Sequence, residues 1–75
     1  RAELWRRMLP PRAPLADDIR YEELGCAIEM SGGHIQNAVT RACYCAAMSG
    51  VAIGHDILMD AAIDEARQMG RLVRG

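Results

Sequence analysis

Between residues 31 and 50 the sequence SGGHIQNAVTRACYCAAMSG repeats small and apolar side chains at helical spacing: Ile35, Ala38, Val39, Ala42, Cys45, Ala46 and Ser49. A period near 3.6 sustained over that length specifies an amphipathic helix. A stripe of small side chains also lets a neighbouring helix come close, so this is the expected central helix of the fold. Ser31 suits its N-cap, because a hydroxyl can accept an amide of the next turn. Gly50 stands where the residue after a helix often turns left-handed.

The rest of the chain leaves little room for sheets. Among 75 residues, 51% are hydrophobic but only 4% aromatic, there is no Phe, and Val occurs only at Val39, Val51 and Val73. Ala, Leu, Ile and Met must therefore fill the core, which suits helix packing. The expected fold is all-α, a small four-helix bundle. Residues 1–75 make one domain, and a chain this short buries only about 60% of the surface its unfolded form exposes.

Three further helices are predicted. Over residues 1–9, Leu4, Trp5, Met8 and Leu9 share one face, and Pro10 and Pro11 end the helix. "PPRAPLADD" then reads as a stiff extended connector. A second helix over residues 19–28 carries Leu24, Ala27 and Ile28 inward, has Glu22 and Glu23 in its first turn, and takes Asp18 as its cap. After a brief extended bridge at residues 51–53, a last helix spans residues 55–69. Leu58, Ala61, Ala62 and Ala66 face inward there, Asp60, Asp64 and Arg67 face outward, and Gly70 closes the helix.

The formal net charge is −1, all nine basic residues are Arg, and they are spread along the chain. Phosphate affinity needs concentrated positive charge, so the balance argues against a nucleic-acid or anionic-membrane binder. No apolar run approaches the roughly 20 residues of a membrane helix, and no signal peptide is visible. An odd count of three cysteines, Cys26, Cys43 and Cys45, fits reduced thiols in a cytoplasmic protein. Cys43 and Cys45, two apart on a helix, point in nearly opposite directions, and no metal site is expected. The chain opens with Arg, and the expectation is a piece of a longer protein.

Gly32 and Gly33 raise a question of their own, since glycine is a poor helix former. A helix N-terminus carries about half a positive charge and several unpaired N–H groups. Without a Cβ at these positions a ligand could reach them. On spacing alone, small residues at a helix start more often serve capping or close packing than a ligand. His34, Asn37 and Arg41 lie on one face at i, i+3 and i+7.

Read together, "R-x-x-L-W-x-x-x-L-P", "A-P-L-A-D-D", "S-G-G-H-I-x-N-A", "A-A-x-x-G" and "A-x-x-E-x-x-x-x-G-R" appear in this order from Arg1 to Arg71. In that order the chain resembles the C-terminal helical lid of AAA ATPases, the members with a Gly-Gly pair at their second sensor motif. The resemblance implies a domain that closes over the adenine side of ATP and couples nucleotide state to motion between ring subunits. It implies ATP as cofactor, with Mg bound mainly by a core domain of the same parent chain, and neighbouring ring subunits as further partners.

Carried over, Gly32 and Gly33 would abut adenine and ribose, with His34 and Asn37 beside them and Arg41 a candidate for the subunit interface. Members with a charged second sensor place Arg where this chain has His34. No G-x-x-x-x-G-K-[ST] loop is present, so hydrolysis would belong to the parent chain.

Two other classes compete with this reading. A helix-turn-helix over residues 21–42 could offer Gln36, Asn37, Thr40 and Arg41 to DNA bases, against the acidic charge of Glu22, Glu23 and Glu29. A free-standing helical protein-binding module could use Trp5, Leu4 and Leu9 as its partner face.

Overall fold

The computed structural model describes the backbone of residues 2–27 and 30–74 and the side chains of residues 2–27 and 30–69. Four helices follow one another: α1 (Ala2–Met8), α2 (Tyr21–Ala27), α3 (Gly32–Ser49) and α4 (His55–Arg74). The expected all-α class holds. The one sheet-like feature among the described residues is an isolated parallel bridge between Leu15 and Ile53.

α3 packs along α4, and α1 lies across α2 and against α3. Small side chains dominate the first contact: Ala38, Ala42 and Ala46 of α3 and Ala61 and Ala62 of α4 are buried, with Leu58 of α4 beside them. Interaxial distance follows the size of the side chains at the contact. The largest core side chain is Trp5, fully buried and clustered with Leu9, Leu24, Met30 and Ile35. Leu4 and Met8 pack against the same cluster, so the apolar face predicted for α1 is the one it buries. Arg6 holds α1 to α2 from outside, its guanidinium carbon 4.9 Å from the centre of the Tyr21 ring.

The ends of α3 fall where the sequence puts them. Gly50 adopts φ 68° and ψ 33°, and its amide bonds the carbonyl of Ala47 while that of Val51 bonds Ala46. This paired arrangement closes a helix through a left-handed residue, where a Cβ is costly. At the other end Ser31 has extended backbone but its side chain makes no capping hydrogen bond. The Ser31 carbonyl accepts the Ile35 amide at 3.0 Å and starts the helix without it.

Several expected details shift. Cys45 and Ser49 are exposed, while Cys43 is half-buried against the core. At about 100° per residue Cys43 and Cys45 fall on the two flanks of the buried arc made by Ile35, Ala38, Val39, Ala42 and Ala46, and neither lies inside it. Ser49 lies in a last turn that is exposed throughout. α2 begins at Tyr21, and Ala27 is exposed; Arg1, Ile28 and Glu29, placed by the sequence reading in or beside these helices, lie outside the described residues. Gly70 does not end α4, which runs on to Arg74; one helical glycine costs only about 1 kcal/mol.

Asp18 caps a different helix from the one expected. Its Oδ1 accepts the backbone amide of His55 at 3.1 Å, at the start of α4. Beside it the connector pairs with the α3–α4 loop: the Ala16 amide donates to the Ile53 carbonyl and the Ile53 amide to the Pro14 carbonyl, both at 2.9 Å. The expected extended bridge at residues 51–53 thus has a partner, and Ile53 is buried under it.

Replacing Trp5 tests the weight placed on α1. Trp5→Ala is expected to cost about 3–5 kcal/mol, a large share of the stability of a domain this small. Denaturant unfolding followed by circular dichroism should show the midpoint collapse. A Trp5→Ala protein within about 1 kcal/mol of wild type would show that α1 is not part of the core.

Candidate functional site

The polar face of α3 leads to a single carboxylate. His34, Asn37 and Arg41 sit at i, i+3 and i+7, and all three reach Glu65 on α4. Glu65 Oε2 lies 2.8 Å from His34 Nδ1 and accepts Asn37 Nδ2 at 3.2 Å. Its Oε1 faces Arg41 Nε at 3.4 Å. Glu65 is only 4% exposed, whereas His34 and Arg41 stay partly open to solvent.

The hydrogen bond from His34 holds the Glu65 carboxyl below its ordinary value, helped by Asn37 and the Arg41 charge against the opposing effect of burial. A buried carboxylate with this many donors is satisfied, and among the described residues no buried side-chain polar atom lacks a partner.

Sequence reading missed Glu65. It continues the inward stripe of α4 one turn after Ala61 and Ala62, in register where an apolar residue is expected. A charge in an inward stripe, facing a neighbouring helix that carries His, Asn and Arg at matching spacing, is the signal that could have found it.

The two glycines part company. A Cβ on Gly32 would lie 3.7 Å from Met8 Cε and 3.9 Å from Leu4 Cδ2, ordinary contacts with α1. A Cβ on Gly33 would meet only Ser31 Oγ, at 3.9 Å, and the residue is exposed. Neither has positive φ. Neither the backbone conformation nor the packing of this chain calls for glycine at position 33.

A second polar knot sits at the start of α4. His55, 4% exposed, accepts the Arg20 backbone amide on Nδ1 at 3.1 Å. Nε2 therefore carries the proton and donates to Glu23 Oε1 at 3.3 Å. With Asp18 on its own amide, His55 joins the connector, α2 and α4. Its ring nitrogens are both committed to structure.

All three cysteines are free thiols, Cys26 and Cys45 exposed and Cys43 half-buried. Burial pushes the Cys43 thiol up, away from the thiolate form that reacts. Among the described residues no three His, Cys, Asp or Glu side chains converge as a metal site, and no helix is long and apolar enough to cross a membrane. No known protein family, curated protein or solved structure matches the chain.

Because the folded state depresses the Glu65 carboxyl, its contribution is full above the ordinary carboxylate value and is lost as pH falls through the lower folded value. Stability of the wild type should therefore decline on acidification, and Glu65→Gln should flatten that part of the curve. At neutral pH the same variant should lose about 1–3 kcal/mol. Denaturant melts at a series of pH values read both. Parallel curves for wild type and variant would refute the role given to the Glu65 charge.

Proposed function

We infer that this domain is the helical lid of an AAA-type ATPase, closing over the adenine side of an ATP held mainly, with its Mg, by the core domain of a cytoplasmic parent chain. The observation that carries the reading is Gly33. It is exposed at the mouth of an 18-residue helix, and nothing in this chain requires it to lack a side chain. An exposed helix start without a side-chain capping bond accommodates a planar base and a ribose at Gly33, part of the contact the resemblance assigns to Gly32 and Gly33, while Gly32 turns toward α1. His34, one residue on, is steadied by Glu65, which fixes how the α3 mouth is set against α4.

In this reading Asn37 supports the same first turns and Arg41 faces the neighbouring subunit with the part of its side chain that Glu65 leaves open. Work is coupled only if the ATP and ADP states favour different lid orientations. A lid that moves as one rigid body fits a domain whose two longest helices are locked by a buried carboxylate. The domain contributes shape and backbone donors, and phosphate and metal chemistry stay with the core.

The other classes draw less support. Of the four side chains a DNA-reading helix would offer, Asn37 and Arg41 are engaged with Glu65, and Thr40 Oγ1 bonds the Gln36 carbonyl at 2.9 Å. The partner face built on Trp5 is the core itself.

Two measurements test the proposal. The native coding sequence within about 200 residues upstream of Arg1, the scale of one domain, should contain a phosphate-binding loop and an apolar strand ending in paired acids. In that longer protein, Gly33→Val should weaken ATP binding by about tenfold or more, with the helical content of the isolated domain unchanged. An upstream sequence without the loop sinks the ATPase reading; unchanged affinity in the variant sinks the assignment of Gly33.

A further inference from the structure

Side chains of α3 and α4 line an open groove of about 270 Å³. This is smaller than the roughly 300–1,000 Å³ of typical small-molecule pockets, and of a size to seat one or two side chains. Tyr44, Cys45, Ile57 and Ala61 are its apolar lining, and Asp60 and Asp64 line it beside them. Tyr44 is 68% exposed, and Met48, one turn further along α3, is 72% exposed. Exposed apolar side chains are common on folded proteins, and what distinguishes this groove is the charge beside them.

The charges around the groove do not cancel. Arg41, at its upper end, is already turned to Glu65. Asp64 meets Arg67 at 3.6 Å, but both side chains are more than half exposed, and such pairs are readily exchanged. Asp60 pairs with no cation among the described residues. Two like charges one turn apart also oppose each other on the helix, so a cation from outside relieves a repulsion the fold itself leaves in place.

We propose that this groove docks a cationic amphipathic segment of a partner protein, with an Arg or Lys set against Asp60 and Asp64 and a neighbouring apolar side chain on Tyr44, Cys45 and Ile57. The Tyr44 ring adds a face for a guanidinium to stack on. Nucleic acid is repelled by the same carboxylates. The surface lies about three helical turns from Gly33 and does not depend on the nucleotide reading.

Anisotropy titrations of the 75-residue chain into a labelled amphipathic helical peptide of Leu, Ala and Arg test the proposal. The matching Leu, Ala and Glu peptide and an unpatterned Arg and Ser peptide serve as controls. Saturable micromolar binding is expected for the first peptide alone. Combined Asp60→Asn and Asp64→Asn, and separately Tyr44→Ala, should each weaken it about tenfold or more, with circular dichroism unchanged because all three side chains are exposed.

Three results would overturn it: no saturation below millimolar, equal binding of the Arg and Ser peptide, or indifference to the groove variants. Sedimentation of the chain alone supplies a further check. A dimer abolished by Tyr44→Ala would assign the groove to a second copy and overturn the proposal as well.

Discussion

The close approach of α3 to α4 governs the rest of this structure. Alanines at 38, 42 and 46 are buried with Leu58, Ala61 and Ala62 where α3 packs along α4, five methyl side chains and a single leucine. Only at that separation do side chains as different in length as His34, Asn37 and Arg41 converge on one carboxylate at 2.8–3.4 Å. The dependence also runs the other way. Sliding one helix past the other by a single turn, about 5.4 Å, would break the convergence of three donors spread over two turns of α3 and leave the buried Glu65 charge short of partners. Apolar packing sets the distance between the helices, and the carboxylate permits one register.

α4 is pinned at two places. His55 ties its first turn to the connector and to α2, and Glu65, about 15 Å further along the axis, ties its middle to α3. Between these points the side of α4 that carries Ile57, Asp60 and Asp64 is bound by neither knot and opens into the groove. The polar network thus divides the helix into a face committed to the fold and a face left for something else. Gly33 repeats that division at the mouth of α3, where Gly32 backs onto α1 and Gly33 looks out.

Much of this was legible in the sequence. Helical periodicity, the Pro10–Pro11 break and the left-handed Gly50 placed four helices and an extended bridge because each depends on neighbours in the chain. The face of α1 was legible for the same reason. What escaped reading depends on residues far apart. Asp18 could be recognised as a cap, yet local rules assign it to the helix that follows it, and only the fold reveals that the amide it reaches belongs to His55. Glu65 escaped because a charge in an inward stripe makes sense only once its three donors on another helix are known. The polar face of α3 was found from spacing; that it turns toward α4 was not, since periodicity defines a face and not its neighbour. Gly70 misled because a glycine signals an end only when something else also stops the helix.

The pairing of the connector with Ile53 turns α1 from an appendage into a tethered flap. Asp18 and His55 meet across 37 positions of sequence, and the backbone bonds at Pro14 and Ala16 fix the connector just beyond the two prolines. If α1 lifts away, only the few residues between Leu9 and Pro14 are free to move. So short a leash keeps Trp5 near its seat at an effective concentration on the order of millimolar or above. Were α1 to leave its seat, Trp5 would take the largest side chain out of a core it shares with Leu24, Met30 and Ile35, a large share of the stability of so small a domain. The short leash therefore works by speeding the return of α1, which keeps the whole bundle from following it.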